Sequence, residues 1–302
     1  MNGVATGTSF TNSVSFAIAS KVKDYFQLIK FTLSFTVVFS CVVCYLLAPN
    51  VQFDFFLVLL LFIAGMLITG SANAINQTIE KDTDALMKRT AGRPVAAGRM
   101  TTSEAWTFAV ITGIAGIILM RYVFNIQSAL LGLFSLLLYE FIYTPLKKIN
   151  SVSVLVGAFP GALPCLIGWV AGTGKFGMGG WVLFGIQFLW QFPHFWAIAW
   201  VAHKDYEKAG FKLLPGTEGP TKFTALQSVI YSMLMIPIGM LPLYAHISDI
   251  VSFWIILACN LTMVYLSVLL FINVNVKAAR RVMFGSYFYL MVVFLSLLFD
   301  KF

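Results

Sequence analysis

The sequence predicts an all-α, polytopic membrane protein of nine transmembrane helices around a central cavity. Three observations carry that expectation. Of 302 residues, 59% are apolar and only 11% are charged, whereas about a quarter of a soluble domain is charged. The mean hydropathy is +0.87. Apolar runs of roughly 20 residues, the length a helix needs to cross the hydrocarbon core, recur along the whole chain.

Taken in order, residues 1–20 are polar, rich in Ser and Thr, and read as a disordered cytoplasmic N-terminus. They lack the charged start and cleavage site of a secretory signal peptide. Residues 21–302 read as a single transmembrane domain. Its spans are expected at residues 28–48, 55–75, 105–123, 128–144, 153–170, 181–201, 224–245, 251–271 and 282–299. Short turns at 49–54, 124–127, 172–180 and 246–249 alternate with basic connections, of which 80–104 and 202–223 are long. Each long connection opens on mixed acids and bases. This is a weak echo, fitting two four-helix halves and a ninth helix. Pro160 and Pro164 in the fifth span, Pro193 in the sixth, and Pro237 and Pro242 in the seventh predict interrupted helices. Such backbone is tolerated at membrane depth where it is packed in protein or lines a cavity.

Charge placement sets the expected orientation. With a cytoplasmic N-terminus, 17 of the 20 bases fall on the inner side, and only Arg121, Lys175 and Lys301 fall outside. That bias follows the positive-inside rule and accounts for the basic charge without any nucleic acid. The chemistry then faces the cytoplasm, where nearly all the acids also lie, and the expected location is an integral plasma (inner) membrane protein. Cys41 and Cys44 form a C-x-x-C inside the first span with no second pair, and read as buried, inert thiols.

The densest chemistry lies where the second span ends. Asn76, Glu80 and Asp84 are spaced i, i+4, i+8, so a continuing helix projects them from one face, with Asp82 turned away. Oxygen donors of this kind suit Mg2+, which bridges readily to substrate phosphates. The alternative is an ordinary solvated helix end. Lys88, Arg89, Arg93, Lys147 and Lys148 are candidate clamps for an anion, Arg through bidentate forks and Lys as point charges, although each also serves topology. Tyr143 and Lys147 lie four residues apart at an inner helix end, and Lys30 belongs to the same layer. A diphosphate on a lipid-like substrate fits this set. Asp205 and Glu207, with His203 and Lys204, form a second polar cluster that suits a second cation or, alone, a solvated loop.

His194, within Trp190-Gln-Phe-Pro-His194-Phe-Trp196, lies about 10 Å inside the sixth span by helix rise. An ionisable residue at that depth is a functional candidate. Iron ligation, proton transfer and a hydrogen bond to a neighbouring helix all remain open readings. Glu140, one turn inside the fourth span, is similarly placed, with snorkelling to the surface as the alternative reading. Some of the 29 Phe, 11 Tyr and 7 Trp are available to shield an allylic cation through their ring faces.

The patterns Asn76-x3-Glu80-x3-Asp84, Met87-x-Arg89-Thr90-x2-Arg93-Pro94-x3-Gly98, Tyr143-Thr-Pro-Leu-Lys147, Gly157-Ala-Phe-Pro-Gly-Ala-Leu-Pro164, Trp190-Gln-Phe-Pro-His194-Phe and Asp205-Tyr-x2-Ala209-Gly210 resemble the UbiA-type intramembrane prenyltransferases. Within them, the chain resembles the protoheme IX farnesyltransferases, or heme O synthases. The likeness runs from about Lys30 to Phe299. The acidic motif indicates the superfamily, and the Pro-rich and Trp-Gln-Phe-Pro-His segments indicate the heme branch. The sequence departs from the family in three places. Glu80 stands where Asp is commoner, Ala209 replaces an acid four residues after Asp205, and Lys30-Phe31-Thr32 replaces Lys-Pro-Arg.

The resemblance implies transfer of the farnesyl group of farnesyl diphosphate to a vinyl group of heme b, giving heme O for terminal oxidases directly or through heme A. It implies Mg2+ as cofactor at Asn76, Glu80, Asp84 and Asp205. Lys30, Arg89, Arg93, Tyr143, Lys147, Lys148 and Lys204 would bind diphosphate, and His194 would contact heme. Membrane lipids, and heme A synthase or an oxidase assembly, are the implied partners. Two alternatives stand beside it. One is a related enzyme prenylating an aromatic quinone precursor. The other is a transporter with broken helices, against which the surface placement of the acids argues.

Overall fold

The computed structural model describes residues 19–216 and 219–301. Residues 1–18 of the expected disordered segment lie outside the described residues, and the first helix begins at Ala19. Helices α1 (Ala19–Leu28) and α2 (Phe31–Leu47) meet at 52°. The break falls on Lys30, whose φ of 47° lies in the left-handed region. The expected first span is therefore a bent pair, and the bend leaves a lysine at its elbow.

The rest of the chain is helical in long pieces. Helix α3 (Phe55–Ile79) starts where Asp54 accepts hydrogen bonds from the amides of Phe56 and Leu57. It passes through Glu80 into the short α4 (Lys81–Leu86). Helix α5 (Thr102–Val123) opens on Thr101, whose hydroxyl accepts from the Glu104 amide, the cap its Thr-x-x-Glu pattern favours. Helix α6 (Ile126–Leu137), capped by Asn125, runs on through a π-helical stretch (Leu138–Tyr143) into α7 (Thr144–Leu146). Then follow α8 (Val152–Thr173), α9 (Met178–Val201), the short α10 (His203–Lys208), α11 (Lys222–Tyr244), α12 (Ile250–Asn273) and α13 (Val276–Lys301).

Among the described residues, eight helices are long and apolar enough to cross a membrane, or nine with the bent pair counted as one. The chain is therefore an all-α integral membrane protein. Helix α13 begins ahead of the expected residue 282 because hydropathy marks only the part facing hydrocarbon. Lys277, Arg280 and Arg281 extend the helix towards the headgroups, where long basic side chains reach water. The echo between the halves has a physical counterpart, since α3 and α9 are each followed by a six-residue helix, α4 and α10.

The prolines do not interrupt their helices: α8 keeps Pro160 and Pro164, α9 keeps Pro193, and α11 keeps Pro237 and Pro242. Pro164 has no N–H for the Pro160 carbonyl four residues back. Ser135 Oγ donates to that carbonyl instead, at 3.3 Å.

Helices α2, α3, α6, α8, α9 and α13 contact one another in sequence and close a ring, with α5, α11 and α12 packed outside. Helices α8 and α9 are the most buried spans, at 72% and 67%, so their prolines and polar side chains face protein. At the end away from most of the bases, the ring is pinched shut by α2 against α8. A Cβ on Gly168 would meet the Cys41 carbonyl oxygen at 1.9 Å, so only glycine permits this approach. Cys41, Cys44 and Cys165 are free and buried there.

Candidate active site

A cavity of about 740 Å³ fills the ring. Its deep wall is apolar, with Val38, Ile68, Met120, Pro164 and Ile167, and its mouth carries Lys30, Asn76, Glu80, Asp84, Arg93 and Lys147. The mouth is built by the α3–α4 junction. Glu80 ends one helix and begins the next, and the backbone bonds Glu80 N–H to Asn76 O (2.9 Å) and Asp84 N–H to Glu80 O (2.7 Å) carry the turn through. Asn76, Glu80 and Asp84 thus share one face, while Asp82 is exposed.

Each of these three side chains is engaged by a base. Lys30 Nζ donates to Asn76 Oδ1 at 2.8 Å, and Asn76 Nδ2 donates to Glu80 Oε2 at 2.9 Å. Lys147 Nζ pairs with Glu80 Oε1 at 2.5 Å. Arg93 Nη1 meets Asp84 Oδ1 and Oδ2 at 2.8 and 2.7 Å. Glu80, Asp84 and Lys147 are buried, at 5%, 1% and 7% exposure. Taking such charges out of water costs several kcal/mol per ion unless a partner offsets it. The bases offset it.

Lys147 also lies over the rings of Tyr143 (5.0 Å) and Phe211 (5.2 Å). Tyr143 is seated against Gly157 of α8, where a Cβ would come within 2.5 Å of its ring. Thr144, one residue on, lies 3.4 Å from Asn76 Nδ2 and links the π-helical segment to α3. Glu140, on that segment, does not snorkel. It is 1% exposed, and neither carboxylate oxygen has a hydrogen-bond partner among the described residues.

The opposite wall comes from α9 against α8 and α13. Gln187 and Gln191 donate to the Gly161 and Ala158 carbonyls at 2.8 and 2.9 Å, joining α9 to the proline-bearing helix. Trp190 Nε1 donates to Ser286 O at 2.7 Å, and His194 Nδ1 lies 2.7 Å from Ser286 Oγ. That hydroxyl gives its proton to Met283 O at 2.6 Å, so it accepts from His194. Nδ1 therefore carries the ring proton and Nε2 keeps its lone pair. Trp190 stacks on the imidazole at 4.5 Å. The Trp-Gln-Phe-Pro-His segment is thus two faces of one helix, with Trp and His on α13 and Gln on α8.

Of the residues expected from sequence, the structure gathers Lys30, Asn76, Glu80, Asp84, Arg89, Arg93, Tyr143, Lys147 and His194 round one cavity. Lys88, Lys148, Lys204 and Glu207 are exposed, Asp205 is partly so, and none of the five lines the cavity. Tyr206, next to Asp205, does line it, and its hydroxyl accepts from Arg89 Nη2 at 2.8 Å. Sequence reasoning missed Tyr206, Thr144 and Ser286, because Ser, Thr and Tyr near helix ends are too common to stand out. Gln187 was detectable, being a polar group deep in an apolar span.

A helical ring closed at one end, with acids and bases at the mouth of an apolar chamber, defines an intramembrane site for an amphiphilic, anionic substrate. The chain belongs to the UbiA prenyltransferase family, whose profile matches residues 37–297. It is 45% identical to the protoheme IX farnesyltransferase of Cytophaga hutchinsonii over 284 residues, covering 94% of this chain and 99% of that one. Among solved structures, digeranylgeranylglyceryl phosphate synthase superposes with a TM-score of 0.77 at 23% identity, covering 93% of this chain and 98% of that one. A UbiA homolog from Archaeoglobus fulgidus bound to GPP and Mg2+ superposes at 0.63 with 14% identity, covering 91% and 99%.

Proposed function

We propose that this protein transfers the farnesyl group of farnesyl diphosphate to a vinyl group of heme b, yielding heme O and diphosphate. The observation that carries the reading is the mouth of the cavity, where Asn76, Glu80 and Asp84 sit against Lys30, Lys147 and Arg93. The near full-length likeness to a protoheme IX farnesyltransferase supports the choice of substrates.

The donor set suits Mg2+ in kind. Two carboxylates and an amide offer hard oxygen atoms, but among the described residues no three acidic, His or Cys side chains converge on one point. That matches an ion held by one or two carboxylates and completed by substrate phosphates and water. The Mg2+-bound UbiA homolog from Archaeoglobus fulgidus supports the choice of cation, which we assign to Asn76, Glu80 and Asp84. When bound, Mg2+ would neutralise charge on the departing diphosphate.

The protein's own groups do the rest. Lys30, Arg93 and Lys147 now spend their charge on α3 and α4, and they turn onto diphosphate oxygens as the substrate arrives. Tyr143 supplies a hydroxyl in the same layer. Fixed donors of this sort act most strongly where water is excluded. As the allylic C–O bond breaks, both its electrons leave with diphosphate, and the vinyl π pair forms the new C–C bond. Water adds to the cation left beside the porphyrin and loses a proton, giving the hydroxyethylfarnesyl chain. The apolar deep wall houses the isoprenoid tail and keeps water off its cation.

His194 is assigned to the heme. With Nδ1–H held by Ser286, its Nε2 lone pair is free for iron, the arrangement usual for a ligating histidine. The excess of bases at the mouth end supports a cytoplasmic site in the plasma (inner) membrane. Product transfer to heme A synthase or an oxidase assembly follows from the product's chemistry.

The test is a mass spectrum of products from purified protein given heme b, farnesyl diphosphate and Mg2+. A hydroxyethylfarnesyl heme is expected. Prenylation of 4-hydroxybenzoate with no modified heme would overturn the assignment.

A further inference from the structure

The bases lining the cavity fall into two groups. Lys30, Arg93 and Lys147 are bound to the side chains of Asn76, Asp84 and Glu80. Arg89 is not. Among the described residues it has no carboxylate partner, and its contact is with a neutral phenol. Nη2 donates to the Tyr206 hydroxyl at 2.8 Å, and the guanidinium carbon lies 5.1 Å from that ring's centre. A guanidinium has five N–H donors in a rigid fork, so the contact orients Arg89 and leaves donors for an anion. Tyr206 is anchored in turn beside Phe211 (5.9 Å).

This arginine stands between two sides of the cavity, because Phe211 beside Tyr206 also lies under Lys147 at 5.2 Å. On the other side, Tyr287 packs edge-on against His194 at 5.0 Å. Arg89, Tyr206, Tyr287 and His194 all line the cavity. Arg89 is exposed at the mouth while His194 is buried. A planar substrate with iron at its centre and carboxylates at its rim, standing in that cavity, would have a ligand for its metal in His194 and a base for its rim in Arg89.

We propose that Arg89, steadied by Tyr206, binds a carboxylate of the porphyrin rather than the diphosphate. The inference rests on heme b being the acceptor. It separates the two anions of the reaction, with diphosphate at the α3–α4 junction and propionate at Arg89.

Heme b and its dimethyl ester share the macrocycle, iron and vinyl groups and differ only in the carboxylates. With farnesyl diphosphate and Mg2+ present, wild-type protein is expected to show a KM for the ester about tenfold or more above that for heme b. In Arg89→Gln the two values converge near the ester value, Arg89→Lys restores part of the difference, and the KM for farnesyl diphosphate stays within about twofold. Soret titration of both porphyrins gives the same comparison as Kd, so a variant that binds without turning over still reports. Tyr206→Phe, which keeps the ring and removes the acceptor, loses part of the discrimination.

Two results overturn the proposal while leaving the transferase reading intact. One is equal affinity of the wild type for acid and ester. The other is an Arg89→Gln variant that keeps the ratio and raises the KM for farnesyl diphosphate instead. A wild type that binds neither porphyrin and modifies no heme sinks both readings together.

Discussion

At the scale of single residues, the Glu80–Lys147 pair shows how function and stability meet. Both partners are buried and 2.5 Å apart, so removing one strands the other in a low-dielectric site. Lys147→Met is expected to destabilise the protein by about 3–5 kcal/mol, read as a lower melting temperature in detergent. Glu80→Gln in the same chain should return much of that loss without restoring activity. Asp84 tests the chemistry more directly. Asp84→Ala frees Arg93 but removes a hard oxygen ligand, and diphosphate release is expected to fall by at least about a hundredfold. Unchanged release would dismiss the assignment of the acid motif. The composition of this cluster was legible in the sequence because its acids recur every fourth residue. Its pairing was not, since Lys30 and Asn76 lie 46 positions apart.

At the scale of helices, glycine and proline decide how closely elements approach. A Cβ at position 168 would sit 1.9 Å from a backbone carbonyl of α2, which cannot rotate away as a side chain does. Gly168→Ala should therefore cost about 1–3 kcal/mol or more through overpacking, with the effect visible in thermal unfolding. Gly157→Ala is predicted to behave differently. Its neighbour is the Tyr143 ring at 2.5 Å, which yields by moving, so turnover suffers more than the melting temperature does. A shift of about 1 Å in a positioning group costs on the order of a hundredfold in rate. A Gly157→Ala enzyme with wild-type kcat would show that Tyr143 does no positioning. The prolines had promised breaks, and the helices continue past them. Ser135 takes over the carbonyl released by Pro164, a compensation that only the neighbouring helix makes possible.

At the scale of the whole molecule, the resting site is neutralised from within. Every candidate ligand at the mouth already has a base on it, so a free divalent cation meets arginine and lysine, and a free diphosphate meets carboxylates. Each ligand arriving alone must break these pairs. The two arriving together satisfy both sides. Calorimetry should accordingly find weak binding of Mg2+ alone and of diphosphate alone, with a favourable coupling of about 1–3 kcal/mol when both are present. Tight binding of Mg2+ without diphosphate would contradict this picture.

Hydropathy, helix length and base placement are properties of contiguous residues, so the sequence alone determined the all-helical membrane class, the approximate spans and the location of the polar chemistry. Tertiary structure alone decided which base meets which acid. It also buried Glu140, left Asp205 off the cavity wall while placing Tyr206 on it, and tied Arg89 to a tyrosine 117 residues away. The physical reason is that a desolvated charge is governed by whatever lies within hydrogen-bond reach, and only the packing of one helix on another sets that neighbour.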